Sequence, residues 1–288
     1  MTDPIDSEHL APGLYLVATP IGNARDITLR ALDILKAAEV LAAEDTRSLR
    51  RLMEIHGIPL AGRHVVAYHD HNGPAARPKL LAALAQGKSV AYASEAGTPL
   101  VSDPGFGLVR EAIVAEQRVF SAPGASAALA ALVVAGLPSD RFTFVGFAPT
   151  SSSARKKFLT DLSGIDGTLI LYEAPRRLAA FLDDACEVLG AEREAVVCRE
   201  LTKRFEDVRR GTLAGLGTSI SDMPIKGEVV VCIGPPAASD ANEDDIAAAM
   251  KREMQDVPLK EAAKRVSDAL GVGRRDAYQI GLSLKDGK

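Results

Sequence analysis

The chain has 288 residues, of which 47% are hydrophobic and 25% charged, and its net charge is −4. That length accommodates one large or two medium domains, the balance is globular rather than disordered, and the sign of the charge is wrong for holding nucleic acid by bulk electrostatics. Cys186, Cys198 and Cys232 lie too far apart for a disulfide framework or a zinc motif, and no apolar run approaches the roughly 18 residues of a membrane span. Residues 1–8 are acidic and polar rather than basic then apolar, so the expectation is a cytoplasmic protein with no metal site and no membrane partner.

The first 120 residues alternate β-branched or aromatic runs with helical stretches. Strands are expected at 14–19, 40–43, 64–68, 89–93 and 118–121, and helices at 28–38, 78–85 and 108–116. This is the βαβ pattern of a mostly parallel sheet. After Pro123-Gly124, an alanine-rich helix at 125–135 leads to strands at 142–146, 168–172, 195–199, 208–212 and 229–233, a second α/β unit. Residues 148–154, rich in Ser, Thr and Pro, read as an exposed, mobile loop whose basic end, Arg155, Lys156 and Lys157, is placed to meet RNA. Residues 235–242 have the composition of a linker. Beyond it Leu259, Ala262, Ala263, Val266 and Leu270 fall on one helical face, Gly271-Val272-Gly273 makes a turn, and 274–284 forms a second helix, as in a helix-turn-helix. The expected division is 1–122, 123–236 and 237–288.

Open α/β sheets bind ligands where strand carboxyl ends and helix amino ends converge. The first strand ends there in Thr19-Pro20-Ile21-Gly22-Asn23, and the fourth in Ser94-Glu95-Ala96-Gly97-Thr98-Pro99 with Ser102-Asp103-Pro104-Gly105 behind it. Glycine and proline make these loops rich in accessible backbone, able to approach a purine edge or an amino-acid moiety closely. No dinucleotide G-x-G-x-x-G follows the first strand, and the loop after the fourth lacks the Gly-Lys-Ser/Thr of a phosphate loop. His69-Asp70-His71 offers too few ligands for a metal. Glu44-Asp45-Thr46-Arg47 puts carboxylates and a guanidinium at the same sheet edge, and also suits a helix cap with a local ion pair.

These segments, with Pro123-Gly124, residues 136–142, Tyr172-Glu173, residues 199–203 and Lys226-Gly227-Glu228, occur in an order that resembles one family. From Gly13 to Leu284 the chain is similar to the small-subunit ribosomal RNA (cytidine-2′-O)-methyltransferases of the tetrapyrrole methylase superfamily. It departs at Glu95, where that family has Asp, which moves the carboxylate outward by about 1.5 Å.

The resemblance implies a bilobal class III methyltransferase fold with a small C-terminal helical unit, and S-adenosylmethionine in a cleft between the lobes. Its binding residues would be Pro20, Gly22, Ser94, Ala96, Gly97, Thr98, Pro99, Ser102, Asp103, Ser126 and Gly227. It implies methylation of a cytidine ribose in 16S ribosomal RNA, with Arg47, Arg155, Lys156, Lys157, Arg274 and Arg275 against the RNA. The negative net charge favours the assembled 30S subunit as substrate, and a homodimer is expected. A ribose hydroxyl needs a base or a neighbouring cation, and Glu44, Asp45, His69, Glu173, Glu200 and Lys203 are all candidates. Equally, Glu200 and Lys203 can pair across a turn, and Glu173 can orient Arg176 or Arg177. The alternatives are a methylase acting on a tetrapyrrole carbon and a catalytically silent RNA-binding module.

Overall fold

The computed structural model describes residues 10–221, 226–236 and 243–286. They divide into two compact units: the described residues up to Val134 with Cys198–Asp207, and Ala135–Val197 with the described residues from Val208 onward.

In the first unit β1 (Gly13–Val17), β2 (Val40–Ala43), β3 (Val65–Ala67), β4 (Ser89–Ala93) and β5 (Val119–Ala122) form one sheet in the order β3-β2-β4-β1-β5. Every pairing is parallel, and β1 runs beside β4 from Gly13↔Ser89 to Val17↔Ala93. The helices are α1 (Leu29–Ala37), α2 (Thr46–Ile55), α3 (Gly73–Ala85), α4 (Phe106–Val114) and α5 (Ala127–Ala135). Alternation along the strands sends Tyr15, Val17, Ala91 and Ala93 to one face, where they pack with Ile34 and Leu35 of α1 and Leu49 and Met53 of α2. Leu14, Val90 and Tyr92 point the other way, onto Leu80 and Leu84 of α3 and Leu108 and Ala112 of α4. With both faces covered, the strands read as unbroken apolar runs.

Two expectations need correction here. The helix expected at 78–85 begins at Gly73, so Pro78 lies inside it and leaves the carbonyl of Pro74 without its usual donor. Residues 46–55 carried no helix expectation, yet α2 forms because Asp45 accepts hydrogen bonds from the N–H groups of Arg47 and Ser48 while Leu49 and Met53 supply a buried i, i+4 pair.

The second unit holds a mixed sheet of β6 (Phe142–Phe147), β7 (Thr168–Glu173), β8 (Glu194–Arg199), β9 (Asp207–Thr212) and β10 (Val229–Ile233), in the order β6-β7-β10-β8-β9. β6 and β7 are parallel, β7 and β10 antiparallel. Leu159 of α6 (Ser152–Leu162), Phe181 and Leu182 of α7 (Leu178–Leu189) and Leu213 and Leu216 of α8 (Leu213–Ser221) pack on one face of it. The exposed loop expected ahead of Arg155 is instead closed by α6, which takes in all three basic residues. Arg155 is buried against Asp184 and Lys156 pairs with Glu187, because the Ser-rich stretch starts a helix whose inner face meets α7.

The tail has its own core. Ile246 and Met250 of α9 (Glu243–Glu253), Ala262, Ala263 and Val266 of α10 (Leu259–Leu270) and Ala277 of α11 (Arg274–Asp286) pack together, and Gly271 ends α10 in the left-handed conformation. Of the expected linker only Pro235 and Pro236 lie within the described residues, and residues 1–8 lie outside them. Among the described residues no helix is long and apolar enough to cross a membrane.

Candidate active site at the carboxyl edge of the parallel sheet

The strand order reverses at β1 and β4. From β1 the chain moves to one side through α1, and from β4 to the other through α4, whose packing faces lie on opposite sides of the sheet. The loops after these two strands therefore diverge, leaving a crevice of the kind where open α/β sheets hold ligands.

A backbone clip joins the two loops. Thr19 N–H donates to the Gly97 carbonyl at 2.9 Å, and Gly97 N–H to the Thr19 carbonyl at 3.0 Å. The Ser94 hydroxyl donates to the Gly97 carbonyl at 2.6 Å, the Thr19 hydroxyl to the Ser94 carbonyl at 3.2 Å, and the Thr98 hydroxyl to the Ala125 carbonyl at 3.0 Å. The loop hydroxyls are thus spent on shaping the loops. Gly97 has φ of 86°, and a Cβ placed on it would meet no protein atom nearer than 3.5 Å. Its conformation demands glycine, and the Ile21 side chain and the Ala125 carbonyl pack beside it. Gly22 differs, because a Cβ there would lie 2.4 Å from Lys203 Cγ and 2.7 Å from Thr202 Oγ1. Thr202 Oγ1 also accepts the Asn23 N–H at 3.1 Å. Glycine at 22 is required first by the turn at 200–203, where Glu200 and Thr202 both have positive φ and Lys203 pairs with Glu200 at 2.9 Å.

Carboxylates gather at the same edge. Glu44 accepts the Glu95 N–H at 3.1 Å, tying the loop after β2 to the loop after β4. Asp45 caps α2 and meets Arg47 Nη2 at 3.0 Å. The hydrogen bonds from the Arg47 side chain and the helix N–H groups hold its carboxyl down to about 2, so it is fully ionised and committed to the helix. Asp103 sits on a strained loop, with Leu100 at φ 73°, Ser102 at 61° and the Tyr92 hydroxyl donating to the Pro104 carbonyl at 3.0 Å. Burial first, then the charges of Glu44, Glu95 and Asp70, push Asp103 up to about 7. A pocket of about 430 Å³ lies beside these loops. Thr19, Pro20, Gly22, Ser94 and Glu95 line it together with Arg47, Arg51, Leu52 and Ile55 of α2. Leu52 and Ile55 escaped notice in the sequence because α2 did; the Asp45 cap was the signal that would have placed them.

In the first unit the structure thus gathers Pro20, Gly22, Glu44, Asp45, Arg47, Ser94, Ala96, Gly97, Thr98, Pro99, Ser102 and Asp103, with Glu200 and Lys203 behind Gly22. Ser126 belongs to this unit too, its carbonyl opening α5 by accepting the Ala130 N–H. His69 lies after β3, its N–H donating to Asn72 Oδ1 at 2.8 Å and its ring 6.1 Å from that of His71. Glu173, Gly227, Arg155, Lys156, Lys157, Arg274 and Arg275 fall in the second unit. The Glu173 side chain is wholly buried. Burial raises its affinity for a proton although Arg177 Nε lies 3.1 Å away.

The model of the tetrapyrrole (corrin/porphyrin) methylases matches residues 13–217, which include this parallel sheet and the loops at its reversal point. The model of the RsmI C-terminal HTH domain matches residues 240–285. The chain is 49% identical over 284 residues to "Ribosomal RNA small subunit methyltransferase I" of Mesorhizobium japonicum, covering 98% of this chain and 95% of that one. It is 42% identical to the Haemophilus influenzae protein of the same name, covering 94% and 96%. Its fold is also that of uroporphyrin-III C-methyltransferase from Thermus thermophilus, solved in complex with S-adenosylhomocysteine, at 19% identity and a TM-score of 0.54 over 77% of this chain and 97% of that one. The chain belongs to the ribosomal RNA small subunit methyltransferase I family.

Proposed function

We propose that the protein transfers a methyl group from S-adenosylmethionine to the 2′-oxygen of a cytidine ribose in small-subunit ribosomal RNA. The observation that carries this reading is the clipped pair of loops after β1 and β4, whose Pro20, Gly22 and Glu95 line, with Arg47 and Arg51 of α2, a pocket of about 430 Å³ at the sheet's reversal point. That pocket fits the cofactor in size, and the small residues Pro20 and Gly22 on its loop side leave backbone accessible to a purine or an amino-acid moiety. Pro20, Gly22, Ala96, Gly97 and Pro99 would hold it by backbone and shape. Ser94 and Thr98 act through the loops that their hydroxyls brace. Ser102, Asp103 and Ser126 complete the proposed set in the first unit, with Asp103 setting a negative charge against a cationic ligand.

When bound, the cofactor supplies an activated methyl group, so positioning alone provides much of the rate. Asp45 is a poor base near neutrality because it is ionised and capped onto α2. Its structural work is to point Arg47 at the pocket. Arg47 and the exposed Arg274 and Arg275 are proposed to meet RNA phosphates.

The substrate form we favour is the assembled 30S subunit in the cytoplasm, where shape supplements a weak overall charge. A homodimer is supported by exposed apolar side chains on α4 and α5, among them Phe106, Val114 and Val133. The deciding experiment is a map of 2′-O-methyl marks in small-subunit ribosomal RNA from cells with and without the protein. Loss of one cytidine mark is expected. An unchanged map, with transfer instead to a uroporphyrinogen-like acceptor, overturns the reading.

A further inference from the structure

In the second unit, β6 lies at the edge of the sheet and runs parallel to β7, so both strands end at the same side. The pairing slips between Phe144 and Phe147, and Gly146 within that slip has φ of 69°. A bulge of this kind re-aims the side chain that follows it. Here that side chain is Phe147, which is 56% exposed at the end of the strand. Tyr172 of β7 backs it, the ring centroids 5.6 Å apart at 67°, and Phe144 backs Tyr172 in turn at 4.9 Å.

The turn after β7 is fastened beside this aromatic group. Arg177 Nη2 donates to the carbonyls of Ala148 and Pro149, the two residues after Phe147, and Arg177 Nε lies 3.1 Å from the buried Glu173 carboxylate. With Arg177 occupied, its neighbour Arg176 is exposed and has no ion pair or hydrogen bond among the described residues. A phenylalanine ring turned outward and braced from behind costs hydrophobic exposure that nothing in the second unit's own core explains, and Arg176 stands on the turn fastened next to its strand. Unpaired RNA bases are bound by such elements: an aromatic face for stacking and a cation for the adjoining phosphate.

We propose that Phe147, braced by Tyr172, is a stacking platform for an unpaired base of the RNA substrate, with Arg176 of the adjoining turn to meet the neighbouring phosphate. The proposal rests on the reading of the protein as an RNA methyltransferase, and it assigns to the second unit a role in holding RNA rather than in methyl transfer.

The chain contains no tryptophan. Phe147→Trp therefore introduces a single emitter while keeping an aromatic face. Its fluorescence should be quenched by a single-stranded, cytidine-containing oligoribonucleotide and left nearly unchanged by an abasic oligomer of the same length, while Phe106→Trp on α4 responds to neither. Phe147→Ala should raise KM for the ribosomal subunit about tenfold, the scale of one base stacked on an aromatic ring, with kcat and S-adenosylmethionine affinity nearly unchanged, and Phe147→Trp should restore KM. Equal quenching by the abasic oligomer, or an unchanged KM for Phe147→Ala, overturns the platform while wild-type transfer to RNA still upholds the function. Emission that changes with protein concentration in the absence of RNA makes the surface a contact between copies and also overturns it. If the wild-type protein transfers no methyl group to ribosomal RNA, the functional reading falls and the platform with it.

Discussion

Arg155 and Asp184 form a buried ion pair, with Arg155 Nε 2.7 Å from the Asp184 carboxylate, which also accepts the Ser152 hydroxyl at 2.9 Å. Removing one member leaves an uncompensated charge in the interior. Asp184→Ala is expected to lower the unfolding free energy by about 3–5 kcal/mol, read from urea denaturation. Arg155→Met combined with Asp184→Leu should lose much less. A loss of less than about 1 kcal/mol in the single variant, the scale of an exposed pair, would show that Arg155 turns outward in solution.

Gly97 tests the crevice. At φ 86° a side chain costs about 1–2 kcal/mol of backbone strain, and its branches press on the Ile21 side chain, 3.5 Å from the Cβ position. Gly97→Val is expected to weaken S-adenosylmethionine binding at least about tenfold, or 1.4 kcal/mol, measured by titration calorimetry, with the circular dichroism spectrum unchanged. Undiminished affinity would remove this loop from the site.

The raised Asp103 carboxyl has a sign that can be checked. Its folded value of about 7 exceeds the ordinary 3.8, so between those values the folded state binds more protons than the unfolded one, and stability declines as pH rises through that window. Asp103→Asn should flatten this decline and make the variant more stable than the parent at pH 8. A cationic cofactor favours the ionised carboxylate, so parental affinity should rise with pH up to about 7 and then level off. The Asn variant should show neither the rise nor the parental plateau. Superimposable melting curves for parent and variant from pH 5 to pH 8 would rule out the shift.

Arg274 and Arg275 open α11 on the exposed side of the tail. Replacing both by Ala should weaken binding to small ribosomal subunits and reduce the slope of log affinity against log salt by about one for each phosphate no longer neutralised. Cofactor affinity should stay unchanged, because the tail has its own core. An unaltered salt slope would make these residues ordinary solvated charges.

Much of this was legible in the residues. Buried strands announce themselves as continuous apolar runs, and β2, β4 and β10 have the expected bounds, whereas most other strand and helix ends shift by up to two residues and α3 begins five residues ahead of the expected helix. The two glycine-rich loops were legible because glycine is demanded by φ at Gly97 and by crowding at Gly22. Sequence could not distinguish those two causes, since they depend on what lies across from the turn. Nor could it show that Arg155 is buried, because a basic triplet looks alike whether its partner is water or an aspartate 29 positions away. The exposure of Phe147 was equally hidden, since it depends on a register slip between its own strand and β7.

The segment Cys198–Asp207 belongs to the first unit although the chain on either side of it builds the second. During synthesis the β1–β5 sheet is complete in the chain when residue 134 leaves the ribosome, but the turn that packs on Gly22 emerges roughly sixty residues later. At about 5–20 residues per second, that is a delay of several seconds in which the loop after β1 lacks its support. A nascent chain arrested before residue 198 should hold a folded sheet with an unfinished ligand loop, so the ability to bind cofactor is acquired only once the first part of the second unit, Ala135–Val197, has been translated.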